Sequence, residues 1–260
     1  IEVALGDTAL PPGPVSGGSM ATGSLVPAAR EAARSAIQKL LATVQEAGST
    51  PLAGASADQL AYGQGRVHRR GQAPSAGVPF ERILQGAGVS QVAATGRSAG
   101  SGRDQHAGKQ SIHSYGAHFV EVAWQPDIAQ LRVSRVVSVM DAGRIVNPRT
   151  GRNQIEGAIM MGVGMALLEH THYDSRNGAP VIGNLADYLV VTHADAPQVD
   201  VTFLDYPDRA LNELGARGIG EIGLAGFAAA VTDAVHHATG VRVRDLPVRI
   251  EDLLGEGAAA

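Results

Sequence analysis

The sequence predicts an α+β fold with mixed sheets and packed helices. Neighbouring runs of alternating apolar residues, which are typical of strands, lie in the second half of the chain. Segments with apolar residues three and four positions apart, which are typical of helices, flank these runs. With 260 residues, of which 44% are hydrophobic and 18% are charged, the chain is long enough to bury a substantial core.

The first predicted segment covers residues 1–115 and contains a glycine- and serine-rich loop, a helix and a long irregular stretch. Residues 1–5 (IEVAL) predict a strand, and residues 25–45 predict a helix with apolar residues on one face. Ser24 is the expected N-cap of this helix. Pro27 falls in its expected first turn, where a missing N–H costs little.

Residues 46–116 show neither the helical nor the strand period and are expected to be irregular. A short basic cluster in this stretch, RVHRR at 66–70, has no aromatic residues within it and is expected to be a solvated loop. The whole chain has a formal net charge of −4. Nucleic-acid-binding proteins usually carry a basic face, so we expect no nucleic-acid partner.

The second predicted segment covers residues 116–260. Strand-like runs over 117–124 and 131–140 predict a hairpin, and a further run over 199–205 predicts a strand. Residues 152–170 predict a helix that contains several glycines, each of which costs about 1 kcal/mol relative to alanine. We therefore expect another backbone or a flat ligand to lie close to this helix, with simple tolerance of the glycines as the alternative. The glycines concerned are Gly157, Gly162 and Gly164.

A last helix is predicted over residues 224–239. Phe227, Val231 and Val235 form its apolar stripe, and Gly240 is the expected stop signal.

The chain contains no cysteine, which excludes disulfides, thiolate zinc sites and ligation of an iron–sulfur cluster by this chain. No apolar run approaches the roughly 20 residues that a membrane-spanning helix needs, so we expect no membrane span. The sequence begins with Ile1, and we expect it to be part of a longer protein.

The sequence GARGIGEIGLAG at 215–226 contains a formal G-x-G-x-x-G motif at Gly218, Gly220 and Gly223. A dinucleotide site needs a strand that ends directly at the first glycine, and no strand is predicted there. A carboxylate at Glu221 would also repel a phosphate. The alternative is that the glycines let the backbone bend tightly and leave Glu221 in a crowded cleft at a helix N-terminus. There it is either a general base or an ordinary helix cap.

The loop at 16–22 (SGGSMAT) combines consecutive glycines with hydroxyl side chains directly before a predicted helix. Such a loop offers backbone N–H groups to an anion or a phosphate, although an ordinary capped turn has the same composition. Gln154, at the start of the glycine-containing helix, carries no functional signal by itself.

Taken in order, these segments resemble the C-terminal portion of the molybdenum-binding subunit of the xanthine dehydrogenase/aldehyde oxidase family. The bacterial aldehyde oxidoreductases with separate subunits are the most similar members. The resemblance is carried by LGDTALPPGPVSGGSMATGS, GAHFVEV, VVSVMDAGRIVNPRTGRNQIEGAIMMGVGMALLEH, LNELGARGIGEIGLAG and AVHHATGVRVRDLPVRIEDLL, and least by residues 50–115. It implies that the chain is the C-terminal part of the molybdenum-binding domain and that both predicted segments bind the cofactor.

The resemblance also implies the site residues. Glu221 matches the catalytic glutamate of the family, which takes a proton from a hydroxyl group on molybdenum. The metal is held by the pterin dithiolene, so no metal ligand is expected from the protein. The residues implied to contact the pterin cofactor are Gly17, Gly18, Ser19, Met20, Ala21, Thr22, Gln154 and Gly220.

The implied activity is the oxidation of aldehydes to carboxylic acids with an oxygen atom derived from water. Hydroxylation of purines or other N-heterocycles is the alternative within the family, and a nicotinamide-dependent oxidoreductase using the G-x-G-x-x-G motif is the alternative outside it. A third possibility is a structural fragment without turnover. The implied cofactor is molybdopterin with molybdenum, in its cytosine dinucleotide form. The implied partners are the remaining part of the molybdenum subunit, a [2Fe–2S] subunit, an FAD subunit and a small aldehyde or heteroaromatic substrate.

Overall fold

The computed structural model describes residues 2–48, 50–98 and 111–254. The chain divides into two compact units: unit 1 comprises residues 1–14 and 23–105, and unit 2 comprises residues 15–22 and 106–260. Helices, one antiparallel sheet and one mixed sheet confirm the α+β class. The predicted boundary at residue 115 stays a prediction, while the structure groups the loop at 15–22 with the second half of the chain.

The N-terminal part of the chain differs from the prediction. Residues 2–5 form no strand, because no other strand pairs with them, and Ile1 lies outside the described residues. Helix α1 spans Ala21–Thr43 and begins four residues before the predicted start. Ser24 is therefore not an N-cap: it is a buried residue inside the helix. Pro27 also lies inside α1, where its ring removes one backbone hydrogen bond.

Unit 1 contains a small antiparallel sheet in the stretch that was expected to be irregular. Its strands are β1 (Leu60–Gly63), β2 (Arg66–Arg69) and β3 (Val78–Pro79), and helix α2 (Phe80–Gly86) follows β3 directly. Gln64 and Gly65, with φ of 51° and 72°, form the two-residue turn between β1 and β2.

The basic cluster at 66–70 is not a solvated loop, since most of it is strand β2, and Val67 and His68 are buried. Burial of Val67 holds this short strand against the core of unit 1. That core consists of Leu40, Leu41, Val44, Ala47, Leu52, Ala55, Leu60, Val67 and Ile83.

Unit 2 is built on a mixed three-stranded sheet. Strands β4 (Tyr115–Gln125) and β5 (Gln130–Asp141) pair antiparallel, which confirms the predicted hairpin. Strand β6 (Gln198–Phe203) pairs parallel to β5, which confirms the predicted third strand. The strand order is β4-β5-β6, so β5 is central.

Helices α3 (Pro148–Leu167), α4 (Phe227–Thr239) and the short α5 (Ile250–Leu253) complete unit 2. The predicted stripe of α4 is confirmed, because Phe227, Val231 and Val235 are fully buried. Gly240 ends α4 with a φ of 75°. No helix in the described ranges is long and apolar enough to cross a membrane. The buried core of this unit is Val133, Val136, Met140, Ile155, Ile159, Val163, Ala166, Phe227, Ala228, Val231, Val235, Val248 and Leu253.

The glycines of α3 have different surroundings. A Cβ on Gly162 would lie 2.9 Å from Cγ of Phe227, so the ring of α4 fills the space that a side chain would need. The close neighbour of α3 at Gly162 is thus an aromatic side chain rather than a backbone or a flat ligand. At Gly164 it is also a side chain, because a Cβ there would lie 3.1 Å from Cγ2 of Val191. Gly157 is exposed, and no described atom of this chain lies within 4 Å of the position that a Cβ would take there, so the chain itself supplies no close neighbour at this glycine.

The two glycines give a matched pair of substitutions in one helix. Gly162→Ala should lower the free energy of unfolding by about 2 kcal/mol, because the new methyl group forces the Phe227 ring to move. Gly157→Ala should raise it by about 0.5–1 kcal/mol, because alanine has the higher helix propensity and meets no neighbour. Urea unfolding of the 260-residue chain measures both values. Equal effects of the two substitutions would contradict the packing described for α3 and α4.

Candidate functional site

A cavity of about 520 Å³ lies within unit 2, a size that falls in the range typical of small-molecule sites. Three stretches of chain form its walls: the loop before α1, the start of α3 with the turn before it, and the glycine-rich segment after β6. The lining residues are Ser16, Gly17, Ser19, Met20, Ala21, Thr22, Arg144, Ile145, Val146, Asn147, Thr150, Gly151, Gln154, Ala216, Arg217, Ile219, Gly220 and Glu221.

The structure brings all but one of the residues predicted for the site to this cavity. Gly18 is not among the lining residues, but it lies between Gly17 and Ser19 in the same loop and has a φ of 58°. The predicted residues that line the cavity are Gly17, Ser19, Met20, Ala21, Thr22, Gln154, Gly220 and Glu221. Their roles toward a cofactor stay predictions.

Glu221 is held by the loop before α1 through a single hydroxyl group. Ser19 Oγ donates a hydrogen bond to Glu221 Oε2 over 3.1 Å. The serine oxygen also accepts a hydrogen bond from the backbone N–H of Glu221 over 3.0 Å. One serine thus fixes both the main chain and the side chain of the acid.

The glycines around Glu221 allow this contact. A Cβ on Gly218 would lie 2.7 Å from Ser19 Cβ and 2.8 Å from the Ser19 carbonyl oxygen, and one on Gly220 would lie 3.1 Å from Ser19 Oγ. Gly223 faces the other way, where a Cβ would lie 2.8 Å from that of Ala158 on α3. The glycine-rich segment is therefore pressed between the loop and α3, and close approach is what requires its glycines.

The G-x-G-x-x-G motif does not have the geometry of a dinucleotide site. That geometry requires a strand directly before the first glycine and a helix at the third. Here β6 ends at Phe203, and α4 begins only at Phe227. The structure therefore gives the nicotinamide alternative no support.

Glu221 differs from its predicted environment in two respects. The N-cap of α4 is Gly226, so Glu221 is neither a cap of that helix nor at its N-terminus. Residues 221–226 form turns instead, in which the N–H of Leu224 donates to the carbonyl of Glu221 over 3.1 Å. The side chain of Glu221 is also exposed rather than crowded within this chain.

A buried ion pair anchors the glycine-rich segment to the end of β5. The guanidinium group of Arg217 contacts the carboxylate of Asp141, and their side chains are 13% and 3% exposed. Arg217 Nη1 also lies 3.2 Å from Asp208 Oδ2. The backbones are joined as well, since the N–H of Arg217 donates to the carbonyl of Ala142 over 2.8 Å. The position of Gly218, the next residue, is fixed by these contacts.

The charge of Asp141 is stabilised by its neighbours. Burial raises the pKa of Asp141, but the N–H of Gly143, the hydroxyl of Tyr115 and the guanidinium of Arg217 together lower it further, so that the pKa lies below its usual 3.8. The same carboxylate raises the pKa of Tyr115. Asp141 is thus ionised near neutral pH and balances the charge of Arg217.

The turn before α3 contributes cavity residues that the sequence prediction missed. Asn147 caps α3, because its side-chain oxygen accepts hydrogen bonds from the N–H groups of Arg149 and Thr150 over 3.1 and 3.2 Å. An asparagine followed by proline is a recognisable start of a helix, and this signal could have placed the start of α3 at Pro148 rather than near Arg152. Arg217 and Asp141 carry no comparable sequence signal.

The family comparison decides the identity of the domain. Residues 1–197 match the family described as the molybdopterin cofactor-binding domain. The chain belongs to this family. It is also a member of the xanthine dehydrogenase/aldehyde oxidase family, as its similarity to the relatives described below indicates.

The chain is 45% identical over 141 residues to the aldehyde oxidoreductase molybdenum-binding subunit PaoC of Escherichia coli (strain K12), a match that covers 54% of this chain and 19% of that protein. It is 32% identical over 143 residues to the putative xanthine dehydrogenase molybdenum-binding subunit XdhA of the same organism, covering 55% and 19%. The structure of quinoline 2-oxidoreductase from Pseudomonas putida 86 aligns with a TM-score of 0.64 and 25% identity, covering 84% and 28%. The chain spans about a fifth of the length of the curated relatives it matches.

The cavity residues fit a pterin cofactor. Helix α1 begins at Ala21, so the first N–H groups of the helix lie at the cavity wall without partners inside the helix, as a phosphate or a ring carbonyl requires. The amide of Gln154 can both donate and accept, as the edge of a pterin does. Gly220 lies beside both Ser19 and Gln154, because a Cβ there would be 3.1 Å from Ser19 Oγ and 3.8 Å from Gln154 Oε1. A side chain at this position would narrow the cavity between Ser19 and Gln154.

The ion pair at the end of β5 predicts a pH-dependent stability. Asp141→Asn should lower the free energy of unfolding by about 3 kcal/mol at neutral pH, because Arg217 would then be a buried cation with one carboxylate fewer. Asp141 has a lowered pKa when folded, so its contribution is complete above about pH 4 and is lost as the pH falls through the folded value. The variant should therefore lose less stability than the parent chain as the pH falls below about 4.

Urea unfolding at each pH measures this difference. Asp200→Asn is the matched control, because it removes an exposed pair with Arg135 whose side chains are 50% and 47% exposed. It should cost no more than about 0.5 kcal/mol. If Asp141→Asn were as mild as this control, the ion pair would not anchor the segment.

Proposed function

We propose that this chain forms part of a molybdenum hydroxylase that oxidises aldehydes to carboxylic acids. The observation that carries the proposal is that Glu221 lines the same cavity as the loop at 17–22 and Gln154. Membership of the molybdopterin-binding family and the 45% identity to an aldehyde oxidoreductase subunit support this choice of reaction.

In this proposal the cofactor is molybdopterin in its cytosine dinucleotide form. Backbone groups of Gly17, Gly18, Met20, Ala21 and Thr22, together with the amide of Gln154, would hold it by hydrogen bonds. When bound, the molybdenum cofactor supplies the redox chemistry by accepting two electrons from the substrate. Gly220 would let the cofactor approach the backbone beside Glu221.

Glu221 would be the general base of the reaction. Conversion of an aldehyde and one water molecule into a carboxylic acid releases two electrons and two protons. The oxygen that comes from water must lose a proton before it joins the substrate carbon, and a carboxylate within hydrogen-bonding distance can accept that proton. Glu221 is suited to this role because its carboxylate is exposed to the cavity and its main chain is fixed.

The electrons need a route away from the site, and the proposal assigns that route to partners. No cysteine is present to ligate an iron–sulfur cluster in this chain. We therefore assign a [2Fe–2S] subunit, an FAD subunit and the remaining part of the molybdenum subunit as partners. The names of the relatives, which call them molybdenum-binding subunits, support an assembly of several chains.

Hydroxylation of purines or other N-heterocycles is a second candidate. It is favoured by the structural similarity to quinoline 2-oxidoreductase, which covers 84% of this chain with a TM-score of 0.64. The same base would serve, because an electron-poor ring carbon and an aldehyde carbon both gain an oxygen atom derived from water. Turnover of an aromatic aldehyde and of quinoline by the same preparation would distinguish the two candidates.

The role of Glu221 predicts the effect of Glu221→Gln. The amide keeps the size of the side chain but cannot accept the proton, so turnover with an aldehyde should fall by a factor of about 10² to 10⁴ while molybdenum content stays unchanged. Steady-state kinetics normalised to bound molybdenum measure this. Glu121→Gln is the control, because Glu121 is an exposed residue of β4 whose carboxylate also accepts a hydrogen bond from a serine, Ser134. Near-normal turnover in a molybdenum-loaded Glu221→Gln enzyme would refute the assignment of the base.

A further inference from the structure

We propose that Ser19 is a positioning residue for Glu221, and that its hydroxyl group sets the orientation in which the carboxylate meets the substrate. This inference rests on the proposed function of Glu221. It gives Ser19 a role beyond membership of a cofactor-binding loop, because the hydroxyl acts on the acid rather than on the cofactor.

The first observation is the pair of hydrogen bonds made by one oxygen atom. Ser19 Oγ accepts from the N–H of Glu221 over 3.0 Å and donates to Glu221 Oε2 over 3.1 Å. These two bonds close a ring that includes the backbone and the side chain of the same residue. Rotation of the glutamate side chain away from the cavity would break the bond to Oε2, so the ring restricts its rotamers.

The second observation is that the bond uses only one carboxylate oxygen. Within residues 2–48, 50–98 and 111–254, no other side chain forms a hydrogen bond with the carboxylate of Glu221. The second oxygen, Oε1, is therefore left to accept a proton from a ligand in the cavity. A general base must have an oxygen that is free to accept a proton within hydrogen-bonding reach of the ligand. In Glu221 the serine occupies one carboxylate oxygen and leaves the other for this purpose.

The third observation is the backbone of Ser19 itself. Its φ of 57° lies in the left-handed region, which is uncommon for residues with a side chain and is usually occupied by glycine, asparagine or aspartate. Gly218 also lacks a side chain at the point where one would collide with Ser19. The backbone conformation at position 19 would favour glycine. The residue present is nevertheless a serine, and its hydroxyl group makes both contacts with Glu221.

The neighbouring hydroxyl groups show that the contact is specific. Ser16 and Thr22 line the same cavity, yet neither forms a hydrogen bond with Glu221 in the described chain. Any hydroxyl in the loop could serve a polar ligand, but only that of Ser19 reaches the acid. The geometry thus separates Ser19 from the rest of the loop.

The test uses Ser19→Gly and Ser19→Ala in the complete, molybdenum-loaded enzyme. Both remove the hydroxyl, but glycine accepts a φ of 57° and alanine is strained there. Loss of positioning should lower kcat by about 10- to 100-fold in both variants, with KM changed less than about twofold, because the hydroxyl acts on the chemical step. Ser134→Ala, which breaks the remote serine–carboxylate pair with Glu121, should leave kcat unchanged.

Two further measurements separate the mechanism from loss of cofactor or of fold. Molybdenum content should be the same in the parent and in Ser19→Gly. In crystal structures of the two enzymes, the Glu221 side chain should adopt one rotamer in the parent and more than one in Ser19→Gly. Loss of molybdenum, or an unchanged single rotamer, would overturn the inference.

The double variant distinguishes failure of this inference from failure of the proposed function. If Ser19 acts through Glu221, Ser19→Gly should have no further effect on kcat in a Glu221→Gln enzyme. The same fold-loss in both backgrounds would show that the hydroxyl acts on the cofactor and would overturn the inference alone. If the single variant Ser19→Gly were fully active while the single variant Glu221→Gln was inactive, the inference would also be overturned and the proposed function would stand. Full activity of Glu221→Gln would overturn the proposed function, and the inference with it.

Discussion

The close approach of the loop before α1 to the glycine-rich segment after β6 is the constraint on which the site depends. A Cβ at Gly218 would lie 2.7 Å from Ser19 Cβ, so the two backbones can meet only where a side chain is missing. The contact places Ser19 Oγ between the N–H and the carboxylate of Glu221. It also closes one side of the cavity, because loop and segment are two of its three walls. Without the glycine, both the acid and the wall would be displaced.

The other end of the glycine-rich segment is held by charge. Arg217 is nearly buried and is balanced by Asp141 and Asp208. Burial of both charges costs solvation energy, which the ion pairs and the hydrogen bonds to Gly143 and Tyr115 must offset. A buried pair of this kind adds little net stability compared with apolar side chains of similar size, although removing one partner is costly. What the pair does is fix one position of the segment against β5. The strand end and the acid-bearing turn are therefore held together by these contacts.

Local patterns in the sequence predicted most elements of unit 2 and few of unit 1. The hairpin of β4 and β5 and the stripe of α4 are long and periodic, so short-range patterns suffice. Strands β1 to β3 have two to four residues each, which is too short for a period to be visible. Glu221 was predicted from the family resemblance. Its hydrogen bond with Ser19 joins residues 202 positions apart, so no short-range sequence pattern could predict it. The ion pair of Arg217 with Asp141 was missed for the same reason, since 76 positions separate them.

The same separation has a consequence for biosynthesis. Ribosomes add about 5 to 20 residues per second, so roughly 10 to 40 seconds pass between the synthesis of Ser19 and that of Glu221, which lies 202 residues later. Through this interval the loop before α1 has no partner across the cavity, and closing such a long loop is slow and entropically costly. The cavity can therefore form only after residues 215–221 have left the ribosome. A cofactor that contacts both walls can therefore bind to them together only once residues 215–221 have been synthesised.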